Sequence, residues 1–326
     1  MSHFSVCVAI PGSKLEGVKI NGFEIESILD DIMEPYNEDP VLPEHTVFRD
    51  MTENCRETYE KDTDMAILFP DGTVHSLRSK EFKDHFVACD GKIQERIDGR
   101  YAETDRSRML KAVLDYPAKK LYSFEEYCRE EFGYEEKDGR FGYWDNPDAH
   151  WDWYQIGGRY SNRLLVKKNA ESALDPRDSV GGNYMTVNGA RMGEIAWEEN
   201  KRREHNAKVL GYEAFAEAYK SGDVERFGPM VSIREDGIYG WNVCLYKAGE
   251  TLEEHLQRHG VSEDDSYPLC CYAYVDLEGK WNSKGDMGWF GISTNNKEER
   301  SWHDELQKFF ASLGEDDFLV MVDCHI

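Results

Sequence analysis

Basic residues are outnumbered in this chain. Its 39 Lys and Arg stand against 64 Asp and Glu, for a net charge of −25. A surface of that sign repels nucleic-acid phosphates and anionic membranes, so direct binding to duplex DNA is not expected. Long apolar runs are missing too. No stretch approaches the ~20 apolar residues needed to cross a bilayer, and the opening MSHFSVCVAI has no basic start and only a short apolar run. The expectation is a cytoplasmic protein without a membrane anchor. The eight cysteines include no C-x-x-C pair. Adjacent Cys270 and Cys271, in a strand-like run, point to opposite faces, which argues against joint ligation of one metal ion. They read as small core residues of a reducing compartment. Walker loop, G-x-S-x-G elbow and H-E-x-x-H motif are all absent, and with them the mechanisms they carry.

What is present is enough to fold. Hydrophobic residues make up 40% of the 326 residues, which excludes global disorder and allows two domains or one large one. HFSVCVAI (3–10) and DFLVMVDCHI (317–326) read as strands. MAILFPDGTVHSL (65–77) reads as a hairpin turning at Asp71-Gly72. SFEEYCREEFG (123–133) and TLEEHLQRHG (251–260) open on capping boxes, Ser123 with Glu126 and Thr251 with Glu254. Apolar residues at 109, 110, 113 and 114 predict a helix over 104–116. Residues 193–211 and 212–222 read as a helix pair broken near Gly211, and 301–314 as a helix. NRLLVKK and CCYAYVDLEGKW supply further strands.

Strands and helices mix without a βαβ rhythm, which predicts an α+β fold. Apolar terminal strands must be paired and covered. They belong in one mixed, largely antiparallel sheet that contains both chain ends, with helices packed on it. The expected division is residues 1–169, a mobile, turn-rich loop at 170–192, and residues 193–326 returning to the same sheet, or a single domain overall. The loop is the candidate lid or domain joint.

The densest chemistry is NPDAHWDWYQIGGRY, residues 146–160. Trp151, Trp153 and Tyr154 offer rings that stack on a base or sugar. Asp152 can accept a hydrogen bond or bind a metal. Gly157 and Gly158 permit close approach of the backbone and expose N–H groups to an anion. Arg159 suits a bidentate contact to phosphate or carboxylate. The plainer alternative is that the indoles are core, Asp152 and Arg159 an ion pair, and the glycines a turn.

The last strand carries a second cluster. Alternation sends Leu319, Met321, Asp323 and His325 to one face and Val320, Val322, Cys324 and Ile326, the core side, to the other. If the two terminal strands pair, His3, Asp323 and His325 meet. That set suits Zn²⁺ or Mn²⁺, or acid–base chemistry with Asp orienting His. Otherwise the residues are a hydrogen-bonded surface at a frayed end. A third block, EGKWNSKGDMGWFG, offers Lys280 and Trp281 as a ligand-wrapping loop, or a plain hairpin with two packed indoles. His255 and His259 share a helix face without a third ligand nearby and read as helix surface.

The opening MSHFSVCV, the central GYWDNPDAHWDWYQIGGRY and the closing GKWNSKGDMGWFG…FLVMVDCHI together resemble an uncharacterised family of bacteriophage and bacterial proteins. The resemblance runs end to end and is least clear over 193–260. Two departures stand out: Tyr160 replaces a common Trp, and DAH replaces a more usual Asn-Ala-Lys. The resemblance implies organisation and site choice, and no activity. Two functional expectations follow. In the first, the aromatic–Arg site binds a nucleotide-like or other small phosphate-bearing ligand, with hydrolysis at His3, Asp323 and His325. In the second, an acidic phage accessory protein binds and inhibits a basic host protein such as a nuclease, in an anti-defence or nucleic-acid-mimicking role.

Overall fold

A computed structural model describes residues 2–89, 92–178, 182–240, 243–259, 266–288 and 291–326. The fold is α+β. The chain divides into two compact units, residues 1–42 with 148–326 and residues 43–147.

The larger unit is built on a six-stranded mixed sheet of β1 (His3–Ile10), β2 (Trp153–Ile156), β3 (Gly189–Arg191), β4 (Ala273–Val275), β5 (Trp281–Ser283) and β6 (Phe318–His325). The order is β2-β6-β1-β4-β5, with β3 beside the start of β6. Only β1 and β4 run parallel. The expected pairing of the two terminal strands is present in full, from His3 opposite His325 to Ile10 opposite Phe318.

Both faces of this sheet are covered, which explains the near-continuous apolar runs of β1 and β6. On one face α1 (Gly22–Met33) packs Ile25, Leu29, Ile32 and Met33 against Phe4, Val6, Val8, Val320, Val322 and Cys324. On the other, α4 (Glu299–Ser312) packs Trp302, Leu306, Phe309 and Phe310 against Cys7, Ala9, Leu319 and Met321. The face carrying Leu319 and Met321 is therefore a second core. Each fully buried aliphatic side chain contributes about 1.5–3 kcal/mol.

The smaller unit is assembled from three antiparallel three-stranded sheets and the helices Thr52–Lys61, Lys80–Lys83, Asp105–Arg108 and Phe124–Phe132. Its hairpin Thr63–Leu68/Val74–Ser76 and the capping box at Ser123 form as expected, and Gly133 closes the helix in the left-handed region. The expected helix over 104–116 is corrected. It is one turn, Asp105–Arg108, after which Lys111–Pro117 pairs as a strand with Thr63–Leu68. Met109 and Leu114 are exposed, so the spacing marks no buried helix face, and the ladder with Thr63–Leu68 makes the segment a strand.

Two further expectations change in the larger unit, the helix pair and the loop at 170–192. The helix pair at 193–222 is one helix, α2 (Trp197–Ser221), running through Gly211 and capped by left-handed Gly222. The Thr251 capping box opens α3 (Leu252–Arg258), while Gly260 lies outside the described residues. The segment 170–192 is not a joint between domains. Leu174 is fully buried, Tyr184–Val187 pairs with Leu164–Lys167, and β3 joins the main sheet. The division falls instead at 43 and 147, because the chain leaves the larger unit after α1 and re-enters it beside Trp151.

Candidate functional site

The site grows from the end of β6. Past Met321 the second core gives way to polar groups, and Asp323 and His325 continue the same face. Both are buried, at 1% and 6% exposure, rather than displayed on a surface. A buried carboxylate needs partners. Asp323 Oδ1 takes His3 Nδ1 at 3.0 Å, and Oδ2 accepts the backbone N–H of Arg159 at 2.9 Å. His325 Nδ1 lies 2.7 and 2.9 Å from the two carboxylate oxygens of Asp152. Two Asp–His pairs thus stand side by side, with the imidazole centroids 5.1 Å apart and edge to face. His325 Nε2 is buried with no hydrogen-bond partner among the described residues.

The Gly-Gly turn is fitted to this arrangement. Gly157 and Gly158 have φ of 72° and 48°. A Cβ on Gly158 would lie 2.5 Å from the Asp323 carboxylate, and one on Gly157 2.6 Å from the Asn188 side chain. Two of the turn's amides are taken within the chain, Gly157 N–H by the Met321 carbonyl and Arg159 N–H by Asp323. Tyr160 packs at the rim of the second core and donates its hydroxyl to the His3 carbonyl; burial, then the Asp323 charge, pushes its ionisation up.

An open cavity of about 600 Å³ lies over this turn. His3, Trp153, Arg159 and Asp323 line it, as does Gly158. The wall opposite includes Asp175, Pro176 and Arg177, with Asn188 between them and the glycines. Asn188 joins the two sides: its Nδ2 donates to Asp175 Oδ2 and its Oδ1 accepts from the Asn162 amide. Arg159 and Arg177 are exposed, and neither guanidinium has an ion-pair partner among the described residues. Trp153 stacks one side on His325 at 5.2 Å and retains 42% of its surface. Asp175, Arg177 and Asn188 were missed in the sequence, where ALDPRDS and TVNGA read as turns. An Asp-Pro-Arg run inside an otherwise small, polar stretch was the available signal.

Several expected ligand residues lie elsewhere. Trp151 is core, its indole N–H donating to the Met33 carbonyl. Tyr154 turns the same way and donates its hydroxyl to Asp30; burial, then that contact, raises its ionisation steeply. The chain bends at Asp152, so Trp-x-Trp does not place both indoles together. Asp152 orients His325 and accepts the Trp153 amide instead of facing a ligand. Trp281 is buried on β5, the opposite edge of the sheet from β2, and stacks on His150 at 4.8 Å. Lys280 is exposed at the turn before it, and neither residue lines the cavity. Trp289 lies outside the described residues. Among the described residues, no group of three His, Cys, Asp or Glu is placed to hold a metal ion, and no helix is long and apolar enough to cross a membrane.

His255 is not helix surface. At 2% exposure it bonds Glu250 at 2.8 Å, and Arg258 holds the same carboxylate through Nε and a terminal nitrogen. Burial pushes Glu250 up, but the hydrogen bonds from Arg258, His255 and the Lys247 amide outweigh it and hold the group at about 2, against an ordinary 4.5. A depressed carboxyl stabilises the fold above its unfolded value and loses that contribution as pH falls. Glu250→Gln is expected to cost about 3 kcal/mol at neutral pH. In urea unfolding, the gap between wild type and variant should close as pH falls from 4.5 to about 2. A gap that is constant with pH would show that Glu250 is not held ionised by this network.

No family model, curated protein or solved structure matches the chain.

Proposed function

We propose that the larger unit binds a small, phosphate-bearing, nucleotide-like ligand in the cavity between the Gly-Gly turn and residues 175–177. The observation that carries this reading is the pair of exposed guanidiniums, Arg159 and Arg177, beside the open part of the Trp153 ring. The chain as a whole is acidic, at a net charge of −25. Two cations at one cavity favour an anion there, and guanidinium matches phosphate bidentately. The ring supplies the stacking surface that a base takes without regard to its identity. The size suits the reading, since small-molecule sites run from about 300 to 1,000 Å³.

Calorimetric titration with AMP, adenosine and inorganic phosphate tests it. AMP should bind more tightly than adenosine and more weakly as salt rises. Arg159→Ala should weaken AMP binding at least tenfold, a charge-assisted hydrogen bond being worth about 1.5–3 kcal/mol, with the melting temperature unchanged. Equal affinity for AMP and adenosine would remove the phosphate from the reading. An unfolded variant would make Arg159 a structural residue.

A further inference from the structure

We infer that the cavity also hydrolyses its ligand, as a phosphodiesterase in which His3 is the catalytic acid–base. This rests on the ligand reading above. Five features of the site point to it. His3 is the imidazole that lines the cavity. Its Nδ1 is committed to a carboxylate that is itself 1% exposed, which fixes the ring and leaves Nε2 as the atom that can exchange a proton. Among the described residues the hydrogen bond of this ring is made by Nδ1, not Nε2. The neighbouring Asp152–His325 pair and the Trp153 ring pack against His3 at 5.1 and 5.4 Å, both edge to face, so the imidazole is walled on two sides. Arg159 and Arg177 stand at the same cavity to take charge on phosphoryl oxygens.

The chemistry selects the substrate class. Transfer of a terminal phosphoryl group passes through a loose transition state in which a base has little to do. At a diester the attacking oxygen bonds to phosphorus early, and its proton must be removed. In the reaction, a water oxygen forms a bond to phosphorus and its proton passes to His3 Nε2. The bond from phosphorus to one ester oxygen then breaks, its electron pair staying on that oxygen, and His3 returns the proton to it. The products are a phosphomonoester and an alcohol, and His3 ends in its starting state. The two guanidiniums balance the second negative charge that the pentacoordinate phosphorus acquires. Asp323 and the Asp152–His325 pair are positioning residues, because they act through His3.

The test uses the full chain with bis(p-nitrophenyl) phosphate and 2′,3′-cyclic AMP as diesters and p-nitrophenyl phosphate as the monoester. AMP binding is measured in parallel. The expected result is turnover of diesters over the monoester, reduced at least a hundredfold in His3→Gln, while His3→Gln, whose amide can still donate to Asp323, stays folded and still binds AMP. Asp152→Asn, at a residue outside the cavity lining, should lower kcat with little change in KM, its fold checked by melting. AMP binding without turnover of either diester would overturn the hydrolysis and leave the ligand reading standing. Turnover that survives His3→Gln would overturn the role of His3. Absence of both binding and turnover would overturn the two readings together.

Discussion

Asp323→Ala is expected to abolish AMP binding and to lower stability by roughly 3 kcal/mol. The carboxylate has almost no contact with water, so its worth lies in the groups it holds. Without it, His3 Nδ1 and the Arg159 amide lose their partners in one step. The Gly158–Tyr160 turn would lose its tie to β6, and Arg159 would no longer be aimed across the cavity. Asp323→Asn is the sharper variant. Its side chain keeps one acceptor and turns a donor toward the other partner, so either the imidazole tautomer or the turn must change. Denaturant unfolding and calorimetry on both variants check this. An Asp323→Ala protein that binds AMP as the wild type does would mean that the carboxylate does not build the site.

Gly158→Ala should be nearly as damaging, for steric reasons. Its backbone is left-handed, and a methyl group there would sit 2.5 Å from both Cβ and Oδ2 of Asp323. A left-handed alanine alone costs about 1–2 kcal/mol. The collision adds the cost of moving a buried, doubly bonded carboxylate or the turn itself. Gly17→Ala is the matched control, with φ of 74° and no atom within 4 Å of the added Cβ. The two variants should share the backbone penalty, and only Gly158→Ala should also lose ligand binding. Equal melting temperatures and equal binding would show that the turn yields without disturbing Asp323.

The legible parts of this protein were the ones governed by local pattern. Alternation in HFSVCVAI and FLVMVDCHI identified both terminal strands and placed His3, Asp323 and His325 on facing sides of one ladder. Apolar strands that long have no stable place except paired in a covered sheet, so their meeting followed from burial. Capping boxes at Ser123 and Thr251 were equally plain, because they are completed within four residues. What depends on distant partners was not legible. The spacing over 104–116 read as a helix, and pairing with Thr63–Leu68, a distant partner, made it a strand. The small residues of 170–192 suggested mobility, yet Leu174 is a core residue and Asp175, Arg177 and Asn188 line the cavity. Trp151 and Trp153 were separated by a bend at Asp152 that no pattern of two residues encodes.

The division of roles within the aromatic block has the same origin. Trp151 and Tyr154 belong to the α1 side of the sheet, Trp153 and Arg159 to the cavity, and Asp152 serves His325. A cluster of rings and charges in sequence is therefore two clusters in space. Of the block, Trp153, Gly158 and Arg159 line the cavity beside His3.

A crystal soaked with 8-bromo-AMP tests the central claim most directly, because the bromine locates the base without reference to the rest of the density. The expected result is a bromine peak at stacking distance from Trp153, with the phosphate held by Arg159 and Arg177. A nucleotide bound away from this cavity, or a cavity left vacant at concentrations that saturate the calorimetric signal, would contradict it.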